Sequence, residues 1–361
     1  MKKKKNKFPH FKHLEKIFRF RGISNTRFNK IRLDANERVT GFDKKFLNVI
    51  KKKITSDYLI AYPEIEKLYD LFAKKFNLQR NNFLITSGSD IGIRHCFELI
   101  VKPNKKIITI NPTFGMVDVY SKLFMAQQIK IGFDNKLKLD LKKMLNSINK
   151  KVSMIIFANP NSPTGTIINE KDIIEILKKA KKNNCYVVID EAYHGFYKKS
   201  VIKLIKKFNN LIVLRTFSKA YGLAGCRVGL VISNKYITNQ LYKFRPMYEI
   251  NSISVLIIRE IIKNDKIINK YVRETNLGKK FLIENLKNMD LNYYPTYTNF
   301  ILVNFKNKKN KMKTFQFLNN NKILTRNAPN IRACNHHLRF TLGPTKIMKK
   351  LVNNLKKVEL G

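Results

Sequence analysis

The pattern that most restricts the fold of this chain is a repeated exchange of periodicities. Short, mainly apolar runs closed by turn residues alternate with stretches of helical spacing. Residues 107–110, 152–158, 186–189, 211–214 and 228–232 are such runs. They are too short for helices and read as strands buried on both faces, as in parallel sheets covered by helices. Ile173, Ile174, Ile176, Leu177 and Ala180 mark one face of a helix, with Lys178, Lys179, Lys181 and Lys182 on the other. The alternation predicts an α/β fold: a central, mostly parallel sheet with helices on both faces. After about residue 267 the texture changes. A helix over 271–289, strands over 299–304 and 338–342 and a short helix near 313–318 predict a smaller C-terminal α+β domain. The expected division is an N-terminal segment 1–45 that packs with the small domain, a large domain 46–267 and a small domain 268–361.

At 361 residues and 44% hydrophobic, the chain can bury a sizeable core, which excludes disorder from low hydrophobicity. No apolar run reaches the 18 residues of a spanning helix, so no membrane role is expected. The basic N-terminus has no apolar stretch of signal-peptide length, and a cytoplasmic location is expected. Cys96, Cys185, Cys226 and Cys334 are scattered without a CxxC pair, which argues against a disulfide framework or a structural metal.

The 72 Lys and Arg against 25 Asp and Glu give a net charge of +47, which by itself invites a polyanion partner. The lysines are spread along the whole chain, however, on helix faces and in loops such as 306–311. No aromatic interleaving, helix-turn-helix or zinc-finger spacing accompanies them, so no specific nucleic-acid partner is expected. A cofactor-binding regulator that contacts DNA is the competing class. It would need a binding module ahead of Leu33, where the sequence has only about 32 residues.

Four segments fall at the ends of expected strands, where open α/β sheets place ligands. Thr86-Ser87-Gly88-Ser89-Asp90 follows the strand-like residues 83–85 and opens a helix over 91–101. Small residues there free backbone N–H groups at the positive end of a helix dipole, which suits a phosphate, though a plain helix start looks alike. Asn159-Pro160-Asn161-Ser162-Pro163-Thr164-Gly165 makes a rigid turn able to hold one polar side chain in a pocket. Asp190 ends an apolar strand, where a carboxylate needs a partner such as a cationic heterocycle, or else serves as a helix cap. Tyr193 offers a phenol to the same place. In the string from Thr216 to Gly229, Lys219 sits among small and apolar residues, with Ser218 before it and Arg227 eight residues later. Such surroundings lower a lysine pKa and suit an imine-forming nucleophile.

With these strings in this order, the chain resembles the fold-type I aminotransferases that depend on pyridoxal 5'-phosphate. Within them it is most similar to the histidinol-phosphate aminotransferase-like branch. The resemblance runs from Leu33-Asp34-Ala35-Asn36-Glu37 to Arg339-Phe340-Thr341-Leu342-Gly343, and 29 residues separate Asn161 from Asp190 and again Asp190 from Lys219. It implies that Lys219 is the Schiff-base lysine and that Asp190 pairs with the pyridine nitrogen. Asn161 and Tyr193 would bond the ring hydroxyl oxygen, and Phe114 would stack on the ring, where the family often has Tyr. Ser89, Asp90, Ser218 and Arg227 would cradle the phosphate. Tyr62 would reach the neighbouring subunit's cofactor, which implies a homodimer with a shared active site. Arg339, Arg326 and Asn36 would bind the substrate. The implied reaction is a ping-pong transamination between an amino acid and a small anionic keto compound, most like histidinol-phosphate transamination. Relatives serving phosphonate, surface-carbohydrate or aromatic amino-acid pathways, and threonine-phosphate decarboxylase-like enzymes, share the same look. Ile91, His194 and the loop Glu37-Arg38-Val39-Thr40-Gly41 depart from the family pattern, and are expected near the substrate mouth.

Overall fold

The computed structural model describes residues 13–15, 17–18, 27–328 and 332–358. A short strand, β1 (Ile31–Arg32), precedes a sheet of seven strands: β2 (Phe83–Thr86), β3 (Lys106–Asn111), β4 (Gln127–Gly132), β5 (Val152–Ala158), β6 (Tyr186–Asp190), β7 (Leu211–Thr216) and β8 (Gly229–Ile232). Their spatial order is β2-β8-β7-β6-β5-β3-β4. The strands from β7 to β4 pair in parallel, and β8 runs antiparallel to both β7 and β2.

All five apolar runs are strands, and the fold is α/β as the alternation predicts. One strand escapes the apolar-run criterion. β4 is an edge strand carrying Gln127, Gln128 and Lys130, mostly part-exposed, so it lacks the continuous apolar sequence of its buried neighbours.

Successive side chains of the central strands enter different cores, as the strand period of two requires. Ile155, Phe157, Val187, Ile189 and Val213 fill one face, and Met154, Ile156, Val188, Ile212 and Leu214 fill the other. Each such buried aliphatic side chain contributes about 1.5–3 kcal/mol of hydrophobic stabilisation. The helix Glu170–Lys182 covers the first face with Ile173, Ile176, Leu177 and Ala180, and its Asn169 cap accepts the Asp172 N–H at 3.0 Å.

A second sheet, ordered β12-β13-β10-β9, forms from β9 (Tyr293–Tyr294), β10 (Phe300–Asn304), β12 (Arg326–Asn327) and β13 (His337–Thr341). β1 pairs in parallel with β11 (Ile323–Leu324), and Leu33 is wholly buried in the core of this smaller unit. The 24-residue helix Asp265–Asn288 belongs to both cores, giving Ile268 and Val272 to the large one and Leu282 and Leu286 to the small one. Among the described residues no helix is long and apolar enough to cross a membrane.

Candidate active site

A cleft of about 880 Å³ opens at the ends of β6 and β7 and is walled by the helix start at Ser89, the smaller sheet and residues 34–37. Of the residues singled out from sequence, Asn36, Ser89, Asp90, Phe114, Asp190, Tyr193, Ser218, Lys219, Arg227, Arg326 and Arg339 line it.

Asp190 is the last residue of β6, and its carboxylate is buried (6% exposed) with no ion pair among the described residues. The Ala192 N–H donates to Oδ1 at 3.0 Å. Burial pushes this carboxyl up to about 7, with Glu191 adding to the rise and Lys219 opposing it. A cation brought beside it would restore the carboxylate.

Lys219 follows β7. The residue is half-buried on the wall of the cleft, and Nζ donates to the Ala35 carbonyl at 3.1 Å. Burial brings this amine down to about 8, helped by Arg339 and Arg227 and opposed by Glu37 and Asp190. A sizeable neutral fraction near pH 8 makes Lys219 nucleophilic, as few of the chain's surface lysines can be. Tyr193 is buried, its hydroxyl accepting from Asn36 Nδ2 at 2.9 Å and donating to Ser162 Oγ at 3.4 Å.

Two anion-binding places flank these groups. At the first, the helix Ser89–Ile100 begins after Gly88, whose φ of +81° favours glycine. A Cβ on Gly88 would lie 2.5 Å from Arg227 Nη2, so the guanidinium rests directly on this turn. Arg227 Nη1 donates to Ser218 Oγ at 3.4 Å, and Tyr120 donates to Asp90 Oδ1 at 3.1 Å. Gly229 in β8 is equally constrained, since its Cβ would fall 2.4 Å from the Ser89 nitrogen. Free N–H groups, a hydroxyl and a guanidinium thus meet at a helix N-terminus, which is the chemistry of a phosphate site.

At the second, Arg339 on β13 and Arg326 on β12 are opposed across the strand pair. Arg339 Nη2 donates to the Asp34 carbonyl at 2.6 Å, while its buried Nε has no partner. Burial lowers the Arg339 pKa, and Arg326 lowers it further. A free donor beside a second guanidinium fits a carboxylate or phosphate.

Two expected residues stand apart. Asn161 does not line the cleft, although Ser162 and Pro163 do. Its Nδ2 is engaged within its own turn, donating to Thr164 Oγ1 at 2.9 Å and to the Pro112 carbonyl at 3.2 Å, and Oδ1 is left buried without a partner. Tyr62 is 75% exposed, with its ring stacked on Tyr248 at 4.2 Å. Ile91 and His194, expected near the mouth, do not line the cleft. His194 instead packs beside Arg215 and Glu191, where burial and Arg215 bring it down to about 3. Glu37, in the loop expected near the mouth, lines the cleft, and so do Asp34, Thr113 and Ser162, which were not singled out for it. Asp34 and Ser162 lie within the quoted strings, so proximity to motif residues was the available signal.

This architecture matches solved aminotransferase structures. A histidinol-phosphate aminotransferase from Sinorhizobium meliloti, solved in complex with pyridoxal-5'-phosphate, superposes with a TM-score of 0.82 at 21% identity, covering 92% of each chain. The fold is therefore that of the fold-type I aminotransferases. In sequence, the chain is 36% identical over 76% of its length to a histidinol-phosphate aminotransferase from Clostridium novyi, covering 77% of that protein. It is 32% identical over 91% of its length to one from Clostridium kluyveri, covering 93% of that protein. The family Aminotransferase class I and II matches residues 29–355, and the chain belongs to it.

Proposed function

We propose that the chain is a pyridoxal 5'-phosphate-dependent transaminase whose substrates carry a phosphate or a second anionic group, histidinol phosphate being the nearest example. The observation that carries this reading is the meeting of Asp190, Lys219 and two separate anion sites in one cleft. The residues present fit the cofactor. Asp190 is a buried carboxylate in need of a cation, and the absence of a side chain at Gly88 lets the Arg227 guanidinium lie against the turn that opens the helix, on the wall of the cleft. Ser89, Asp90, Ser218 and Arg227 would hold the phosphate, Asp190 the ring nitrogen, Phe114 a ring face and Lys219 the aldehyde carbon. Tyr193 would tune the ring oxygen, and Asn161, beside the cleft-lining Ser162, would share that task by turning its Nδ2 away from Thr164 and Pro112.

When bound, the cofactor supplies an electron sink for the bonds at the substrate Cα. Lys219 Nζ then acts as the base that takes the Cα proton and as the acid that returns it beyond the transferred nitrogen. Arg339 would hold the substrate's anionic group, the carboxylate of an amino acid or the phosphate of histidinol phosphate, with Arg326 beside it and Asn36 on the Tyr193 side of the substrate. One cleft serves donor and acceptor in turn, which gives ping-pong kinetics. We place the cofactor domain at residues 46–267 and the closing domain at 268–361 with the N-terminal segment. The enzyme acts in the cytoplasm as a homodimer, in which the exposed Tyr62 reaches the neighbour's cofactor.

The test is a matrix of amino donors and keto acceptors with purified, cofactor-loaded protein, following each half-reaction by absorbance. Turnover of histidinol phosphate with one of the keto acceptors is expected. Failure of every phosphorylated and phosphonate substrate removes the anionic-substrate reading. Sedimentation velocity checks the dimer.

A further inference from the structure

The loop Glu37-Arg38-Val39-Thr40-Gly41 contains no proline, yet the segment before it carries two groups the site depends on. Ala35 supplies the carbonyl that receives Lys219 Nζ, and Asn36 bonds the Tyr193 hydroxyl. Something other than proline must hold that segment in place. Arg38 is half-buried, and its guanidinium carbon lies 4.3 Å from the Phe42 ring centroid and 4.2 Å from that of Tyr271. Its Nε donates to the Thr40 carbonyl at 2.9 Å, and Nη2 donates to that of Gly41 at 3.4 Å. The same side chain touches the lysine loop. Gly222, three residues after Lys219, has a φ of +75°, and a Cβ there would lie 2.5 Å from Arg38 Cδ.

We infer that Arg38 is a positioning residue that locks residues 35–37 against the Lys219 loop, replacing by stacking and hydrogen bonding the stiffness that prolines give. The inference rests on the aminotransferase reading for its catalytic meaning, but its geometry concerns this chain alone. Segment 35–38 grips the lysine loop twice, through the Ala35 carbonyl at the amine and through the Arg38 stem at Gly222. A loosened segment would open the amine to water. The charged groups facing that amine, namely Asp190, Glu37, Arg227 and Arg339, are left unchanged by altering Arg38.

The experiment is the titration of Lys219 in the cofactor-free, full-length protein, by competitive acylation against pH with peptide mass spectrometry. Arg38→Met keeps the apolar stem and removes the stacking cation and both donors. The Lys219 titration is expected to move up by about half a pH unit or more as desolvation weakens. Arg38→Lys, which keeps charge but not the planar fork, is expected to move part of the way. In the loaded enzyme, kcat is expected to fall about tenfold or more with KM little changed, as misplacement of a reacting group produces. An unchanged Lys219 titration in folded Arg38→Met overturns the inference. Should that variant fail to fold, an unchanged titration in Arg38→Lys does so. A protein without transaminase activity on any substrate would sink the functional reading and leave the titration to decide this one.

Discussion

Arg326 and Arg339 face each other directly across the antiparallel pair β12–β13. Like charges directly opposed on adjacent strands disfavour the pairing unless an anion joins them. Arg339→Lys removes the planar fork. A loss of about 1.5–3 kcal/mol, roughly 10- to 100-fold in kcat/KM, is expected for every amino acid substrate. Arg326→Gln should weaken only substrates with a distal anion. Steady-state kinetics on a monocarboxylate amino acid and on an amino donor that carries a second anion separate the two effects, and an equal loss from Arg326→Gln on both would contradict the assignment of Arg326.

Lys219→Ala should lower turnover by at least the 10²–10⁴-fold typical of a positioned acid-base group. Borohydride reduction followed by peptide mass spectrometry should fix the cofactor to wild-type protein at Lys219 and to no residue of the variant. Because burial brings this amine to about 8, cofactor capture should accelerate as pH rises from 7 to 9. Full activity in the variant sinks the mechanism.

Asp190 makes a prediction with opposite signs in the two states of the protein. Its folded pKa, about 7, lies above the ordinary carboxylate value of 3.8, so the cofactor-free native state binds the proton more tightly. Its contribution to stability is present below pH 4 and is lost as pH rises toward 7, by a few kcal/mol at most. Asp190→Asn should therefore raise the Tm of the cofactor-free protein at pH 8 and leave it nearly unchanged at pH 4. In the loaded enzyme the same change should lower Tm and abolish most turnover. Thermal scans at the two pH values, with and without cofactor, provide the check.

Gly88→Ala places a methyl group against Arg227 Nη2 in a backbone region that L residues avoid. Cofactor affinity should fall at least about tenfold, the equivalent of one lost charge-assisted hydrogen bond of about 1.5 kcal/mol or more. Fluorescence titration with pyridoxal phosphate measures it, and wild-type affinity would remove the Gly88–Arg227 turn from the phosphate site.

The central sheet was legible because burial on both faces leaves a mark at every position of a strand. β5 and β6 read as strands from apolarity alone, whereas the edge strand β4, with Lys130 among part-exposed residues, did not. Asp190, Lys219 and Arg227 stood out because polar groups among small or apolar neighbours have few other reasons to be there. Arg38 looked like one more surface cation in a chain with 72 of them. Its meaning lies in Phe42, Tyr271 and Gly222, two of them distant in sequence, and no local pattern encodes that meeting. The same holds for Asn161, whose string gave no warning that Thr164 and Pro112 would engage its amide.

The burial of Leu33 beside β13 has a consequence for how the enzyme comes into being on the ribosome. The residues that complete the wall around Lys219 are translated about three hundred residues before the strands they pair with. They cannot settle until Ile323 and Thr341 have emerged, because Ile31 pairs with the one and the Leu33 carbonyl receives the N–H of the other. A nascent chain that stops after β8 already holds the strands of its large sheet. It still lacks the lysine's hydrogen-bond partner in place, and it lacks Arg339, the arginine proposed for the substrate anion, altogether. Products truncated before β13 are therefore expected to be inert toward amino acids rather than partly active.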